Sequence, residues 1–344
     1  MNPIAIRLLN QQLISPLFSK PEEVVSHMGA IQAQEYRLMR WAVAMRTKEP
    51  SYYQFENAFN SGDIIRMHLF RGTWQLISGN DYAWMLKLCA PRSLSVIKGW
   101  MKSNKISIPN NELSSIWNVL EIVADEKKSA TKDDFIEGLL RKDIVIDERR
   151  LSYCIRMAEI NGLLCSGILH KSKATYCLAS QKIKNHPDVS YEESLALLAK
   201  KYFQSHSPAT LEDYVWWSGL SVSECKKGIN LIKNELQTEI WQEKTFYIHH
   251  SCRLEGFQKG TTLLISPYDE YLIGYKSREL VLPNEYRQFA HNKNGTFYPI
   301  IAYDGIICGN WKPFLSNLEI KYFDANFCSD SIDEAWERYN YFKK

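Results

Sequence analysis

No run of about 18 apolar residues, the length that spans a bilayer, occurs anywhere in the 344 residues. The start of the chain, Met1-Asn2-Pro3 with its first cation at Arg7, lacks the basic-then-apolar pattern of a secretory signal. These two absences predict a cytoplasmic protein with no membrane partner. The eight cysteines (Cys89, Cys154, Cys165, Cys177, Cys225, Cys252, Cys308 and Cys328) include no C-x-x-C pair and fall in apolar or aromatic stretches. Neither a zinc ribbon nor a disulfide framework is expected from them; buried reduced thiols are. Strong charge of one sign is missing too. The 42 Lys and Arg face 39 Asp and Glu, a net +3, too little to announce a polyanion partner. There is no G-x-S-x-G elbow, Walker A loop, H-E-x-x-H pair or Gly-rich dinucleotide loop. No metal and no cofactor is expected.

The charge that is present is uneven. Residues 1–110 hold 13 basic and 7 acidic groups (+6), residues 111–187 hold 12 and 11 (+1), and residues 188–344 hold 17 and 21 (−4). The length allows two to four domains at roughly 100–200 residues each. Two stretches share one architectural order. In the first, helices are predicted over Leu113–Val123, over Lys132–Arg141 behind a Thr131 cap, and from Asp147 or Glu148 to Gly162, followed by β-like runs at Leu163–His170 and Ala174–Leu178. In the second, helices at Tyr191–Ser205, Thr210–Trp217 and Ser221–Glu235 precede short strands at Thr238–Trp241 and Thr245–His249. Ser221 and Glu224 have the spacing of a capping box. Three helices and a hairpin make a winged helix, twice.

The first 110 residues read as helices (Ile4–Ile14, Pro21–Ala30, Tyr53–Asn60, Asp81–Met101) around one strand-like run, Gly72–Ser78, consistent with a third, elaborated winged helix. Beyond about residue 255 the texture turns to β, with runs at Thr262–Ser266, Leu280–Leu282, Phe297–Ala302, Gly305–Trp311 and Leu318–Phe323, an Asp304-Gly305 turn, and a closing helix at Ile332–Phe342. The expected fold class is α+β: tandem winged-helix domains (1–110, 111–187, 188–254) and a C-terminal β-barrel-like domain (255–344). Tandem winged helices favour nucleic acid, although the same module also docks proteins, and fold alone names no reaction.

Few residues announce chemistry. His249-His250 are adjacent on a strand and point to opposite faces, so one packed and one surface histidine are expected. Asp269-Glu270 are consecutive carboxylates, which rarely converge on one atom; a loop cap or a salt link to a basic neighbour is expected. In Gly29-Ala30-Ile31-Gln32-Ala33-Gln34-Glu35-Tyr36, two amides separated by one small residue share a face only if the segment is extended, because on a helix they lie about 200° apart. A Q-x-Q pair by itself is a weak signal.

Taken in order, the blocks Met28 to Gln34 (MGAIQAQ), Arg40 to Arg46 (RWAVAMR), Arg66 to Thr73, Tyr202 to Gly219 (YFQSHSPATLEDYVWWSG), Pro267 to Gly274 (PYDEYLIG) and Asp304 to Trp311 (DGIICGNW) resemble the winged-helix DNA-binding-domain family that contains the AlkZ-type DNA glycosylases. The resemblance covers nearly the full length. It implies tandem winged helices and a β-barrel around DNA, and a DNA repair glycosylase that removes bulky or cationic N7-alkylated purines and unhooks interstrand crosslinks. It also implies that the Q-x-Q element, here Gln32 and Gln34, is catalytic. Where members of the family it resembles often read Arg-Gly-Thr-Leu-His-Leu, this chain reads Arg71-Gly72-Thr73-Trp74-Gln75-Leu76, so the resemblance carries no role for a histidine there.

Two amides can suffice for such a substrate. An N7-alkylguanine already carries positive charge in its leaving group, so the glycosidic bond breaks without protonation of the base. What remains is an oxocarbenium-like sugar and a water to trap it. The expectation is therefore a monofunctional hydrolase on double-stranded DNA, acting as a monomer, with phosphate contacts drawn from Arg37, Arg40, Arg46, Arg66, Arg71, Lys171 and Lys173. The alternative is a non-catalytic winged-helix regulator.

Overall fold

Capping side chains set many of the helix starts. Thr131 and Asp134 exchange bonds ahead of Lys132–Leu140, Thr210 and Asp213 ahead of Leu211–Ser218, and Ser221 and Glu224 ahead of Val222–Leu231; Asp147 accepts from Arg149 and Arg150 N–H to open Glu148–Ile160. Each satisfies amides that the first helical turn leaves without intrahelical partners. The computed structural model describes residues 2–344 except 186, 315, 316, 325, 326, 328 and 330; the predicted thiol Cys328 lies outside the described residues. Among the described residues no helix is long and apolar enough to cross a membrane. The fold is α+β.

The chain forms two compact units, Met1–Phe55 with Leu195–Lys344, and Glu56–Ser194. The second unit contains the long helices Tyr82–Ser103 and Asn110–Lys127, then Lys132–Leu140 and Glu148–Ile160, and the antiparallel pair Leu164–Ser166 and Thr175–Leu178, edged by Ala130–Thr131. Its core joins Ile116, Leu120, Phe135, Leu151, Ile155 and Leu178. The predicted run at Gly72–Ser78 is the strand Trp74–Ser78, and it pairs antiparallel with Ile64–His68. That partner strand escapes sequence patterning because all five of its residues are buried, which removes the alternation of a half-exposed strand.

In the first unit, helices Tyr191–His206 (from residue 195 on), Leu211–Ser218 and Val222–Leu231 lead to the hairpin Leu236–Trp241 and Lys244–His249. A four-stranded antiparallel sheet then runs in the order Asn317–Tyr322, Ile306–Phe314, Ile300–Tyr303, Thr262–Ile265. This order is open among the described residues. Asp304 and Gly305, both at positive φ (48° and 85°), turn the central hairpin, as their sequence predicts. Leu280–Leu282 is a turn and not the expected strand: Val281 and Leu282 N–H groups both donate back to Arg278 O. The pair is apolar because it is buried in the core.

The N-terminal 55 residues belong with this C-terminal part for a packing reason. Leu8, Leu9 and Trp41 share one core with Leu264, Ile265, Tyr271, Ile301, Trp311 and Tyr339. The Trp41 and Trp311 indoles donate to Leu264 O and Ile265 O at 2.6 and 2.8 Å. The four-part expectation groups residues 1–110 together; the compact units divide them at Phe55.

Candidate active site

The Q-x-Q segment is delivered by a helix that must stop. Pro21–Met28 begins with proline, takes Glu22 and Glu23 in its first turn, and ends at Gly29, φ 76° and ψ −55°, a conformation closed to side-chain-bearing residues. A Cβ at Gly29 would also stand 3.1 Å from Lys201 Cβ. Beyond it Ile31–Gln32 is extended, and Ala33 and Gln34 are non-helical, so the amides do not sit on a helix. Ile31 and Ala33 are fully buried, Gln32 is 5% exposed and Gln34 is exposed. Glu35, the adjacent carboxylate, accepts the Leu38 N–H at 2.5 Å. It closes the turn into helix Met39–Ala44.

The backbone of Gln32 is held from the Pro267-Tyr268-Asp269-Glu270 block. Tyr268, at φ 57°, reverses the chain just before the two carboxylates, which then serve different partners. Glu270 Oε1 accepts the Gln32 N–H at 2.7 Å, and Oε2 accepts the Trp217 indole N–H at 3.0 Å. His206 Nε2 stands 3.5 Å from the same Oε2, too long for a strong hydrogen bond, while its Nδ1 meets Ser205 Oγ at 2.8 Å. The His206 ring stacks on Tyr202 at 4.7 Å. Burial holds this imidazole below its ordinary range against the opposing pull of Glu270.

Asp269 caps the Glu270–Ile273 turn through the Tyr271 N–H and takes both ends of the Arg46 guanidinium, at 2.7 and 2.9 Å. Arg46 also donates to Ala42 O and to Gln11 Oε1. Gln11 donates to Tyr275 OH, which donates to His206 O. A buried hydrogen-bonded frame thus runs from the Gln32 amide through Glu270 and Asp269 to the N-terminal helix. The expectation of a cap and a salt link for Asp269-Glu270 is met, and so is that for the histidine pair: His249 is buried and His250 exposed. Among the described residues no group of three or more His, Cys, Asp or Glu could hold a metal.

Residues 25–321 match the family described as DNA glycosylase AlkZ-like. The chain belongs to this family. A relative from Streptomyces sahachiroi, named an interstrand DNA cross-link repair glycosylase, is 23% identical over 310 residues, 84% of this chain and 81% of its own. The solved structure of Streptomyces sahachiroi DNA glycosylase AlkZ superposes with a TM-score of 0.79 at 18% identity, covering 99% of this chain and 95% of that one. The two share a fold.

Within this AlkZ-like chain the predicted phosphate ligands separate by burial. Arg37 is exposed, and so are Lys171 and Lys173, the latter paired with Asp133 at 2.6 Å. Arg71 is half-buried at φ 54°. The other three expectations need correction. Arg46 is fully buried on Asp269. Arg40 is 4% exposed, with its guanidinium near the Tyr36 and Tyr52 rings. Arg66 is 4% exposed and lies 3.6 Å over the Trp74 ring, beside the His68–Glu159 pair. A guanidinium enclosed by protein cannot reach a phosphate, and sequence alone does not separate a core arginine from a surface one. Gln75 is buried and donates to Thr73 Oγ1 at 2.9 Å.

What sequence reasoning missed is the support: Glu270 as acceptor of the Gln32 amide, and Trp217 and His206 beside it. The signal was the second of the two consecutive carboxylates in PYDEYLIG and the aromatic density of YFQSHSPATLEDYVWWSG.

Proposed function

We propose that this AlkZ-like chain is a monofunctional DNA repair glycosylase that hydrolyses the N-glycosidic bond of cationic N7-alkylated purines in double-stranded DNA, including interstrand crosslinks. The observation that carries it is the non-helical Gln32-Ala33-Gln34 segment fixed at its backbone by Glu270, within a chain of this family. The three-helix-and-hairpin segments at 110–178 and 191–249 are read as winged helices, and the sheet that follows them as the barrel-like domain.

In the reaction the bond from C1′ to N9 breaks, and its electron pair neutralises the cationic purine. Water then adds to C1′ and gives up a proton to solvent. An amide oxygen accepts from that water and turns its negative end toward the sugar cation, a preorganised effect of the kind worth about 10²–10³ per group. Glutamine has no protonation state near neutrality that would make it a full general base. A ready leaving group is therefore part of the mechanism. Arg37, Arg71, Lys171 and Lys173 remain the proposed phosphate contacts.

The test is release of base from duplex DNA containing N7-methylguanine. Gln32→Ala and Gln34→Ala are each expected to lower the single-turnover rate by about 10²-fold, with DNA affinity within a few-fold of wild type. DNA binding without base release by the wild-type protein would favour a non-catalytic regulator.

A further inference from the structure

The C-terminal part, whose charge is −4 over residues 188–344, carries a cationic groove. An opening of about 820 Å³ is lined by Trp216, Arg278, Arg287, His291, Lys293 and Phe297, with Glu285 as its carboxylate. It shares Arg278, Asn284 and Arg287 with a second opening of about 270 Å³ that adds Lys244 and Lys276, and the carboxylates Glu212 and Glu279. Five cations thus face three carboxylates along one connected surface. Among the described residues, none of Lys244, Lys276, Arg287 and Lys293 has a carboxylate within 4.0 Å, so their charge is not neutralised locally.

Two of the cations are held in place by aromatic rings. The Arg278 guanidinium lies 5.4 Å from the Trp216 ring and 5.0 Å from Phe297, and Lys276 Nζ lies 5.0 Å from Trp216. His291 stacks on Phe297 at 5.0 Å. Burial, and then the fields of Arg278 and Arg287, hold its imidazole below the ordinary range. Side chains fixed this way lose less freedom when they meet a charged ligand. The walls are also tied to the proposed active site. The Trp216 indole donates to Ile273 O and Arg278 Nε to Leu272 O. Both carbonyls belong to the turn Glu270–Ile273, whose first residue accepts the Gln32 amide.

We infer that this groove binds the phosphodiester backbone of DNA, a contact on the −4 part of the chain rather than on its basic first third. The inference rests on the glycosylase reading, because the groove walls are bonded to the turn that supports Gln32. The rings are already covered by cations, so phosphate and not base is the group recognised. A groove of unmatched cations supplies counterion release, at about −0.9 in the slope of log K against log salt for each phosphate met on B-DNA.

The test uses the full chain and an undamaged duplex oligonucleotide, titrated at several salt concentrations. The double variant Arg287→Gln/Lys293→Gln changes two exposed residues and is expected to keep the wild-type Tm. Its affinity at low salt is expected to fall at least tenfold, and its salt slope to become shallower by about 1.8. The control Lys127→Gln/Lys128→Gln removes the same charge from lysines already paired with Asp134 and Asp125, and is expected to leave the slope unchanged. Wild-type binding by the groove variant, or an equal loss in the control, overturns the groove as the contact. Failure of the wild-type protein to bind the duplex overturns it as well. Base release from N7-methylguanine DNA by the wild-type protein, measured separately, reports on the glycosylase reading whatever the binding result.

Discussion

Gln32 is a polar residue 5% exposed, between fully buried Ile31 and Ala33, and its backbone N–H is taken by a buried carboxylate. Glu270 takes the Gln32 N–H and the Trp217 indole N–H with separate oxygens. Removing the carboxylate orphans two buried donors, each at about 1–3 kcal/mol. Glu270→Ala is therefore expected to lower unfolding free energy by roughly 2–6 kcal/mol, read by denaturant titration. Glu270→Gln keeps one oxygen acceptor but turns an NH2 toward the second donor. At a temperature where this variant is fully folded, its base-release rate is expected to fall at least tenfold with DNA affinity unchanged. A loss of stability with an unchanged rate would make Glu270 structural only. The Q-x-Q pair was legible only through the ordered blocks that resemble the family, since the pair by itself is a weak signal. Its carboxylate support lies 238 residues away, and no local pattern encodes that. The burial of Arg40, Arg46 and Arg66 was equally invisible, since a guanidinium reads the same whether it meets solvent or Asp269.

At the level of elements, the most legible features were those fixed by short-range chemistry. The caps at Thr131 and Ser221, the helix start at Asp147-Glu148 and the closing helix Ile332–Phe342 lie where the sequence puts them. Elements defined by burial on all sides were not legible: Ile64–His68 lacks alternation, and apolar Val281-Leu282 serves the core as a turn. The bond from helix Pro21–Met28 to the end of helix Pro3–Asn10 gives a prediction of its own. His27 Nε2 meets Asn10 O at 2.7 Å, and burial lowers its pKa from 6.5 to about 4. The folded state therefore resists a proton that the unfolded chain accepts, so this contribution is complete above pH 6.5 and is lost as pH falls toward 4. The loss is on the order of 3 kcal/mol for a shift of this size. His27→Gln is expected to flatten the stability profile in that window, measured by urea unfolding at a series of pH values. An unchanged wild-type-like slope would mean that His27 is not the titrating group.

For the whole molecule, charge summed along the sequence points to the first 110 residues, yet three of the arginines expected to serve there are enclosed, and the open cations of 244–293 lie in the part with net charge −4. Net charge is a property of segments, whereas a polyanion meets a surface, and only folding decides which cations share one. In the proposed mechanism, amides without an acid discriminate by leaving-group charge. A cationic N7-alkylguanine leaves neutral, while uracil leaves as an anion unless it is protonated, and Glu35, the nearest carboxylate in sequence, is occupied by the Leu38 amide. The direct measurement is single-turnover base release from matched duplexes carrying N7-methylguanine or uracil, with a borohydride trap for Schiff-base intermediates. Release of N7-methylguanine, no detectable release of uracil and no trapped adduct are expected. Efficient uracil excision, or a covalent adduct, would contradict the mechanism assigned to Gln32 and Gln34.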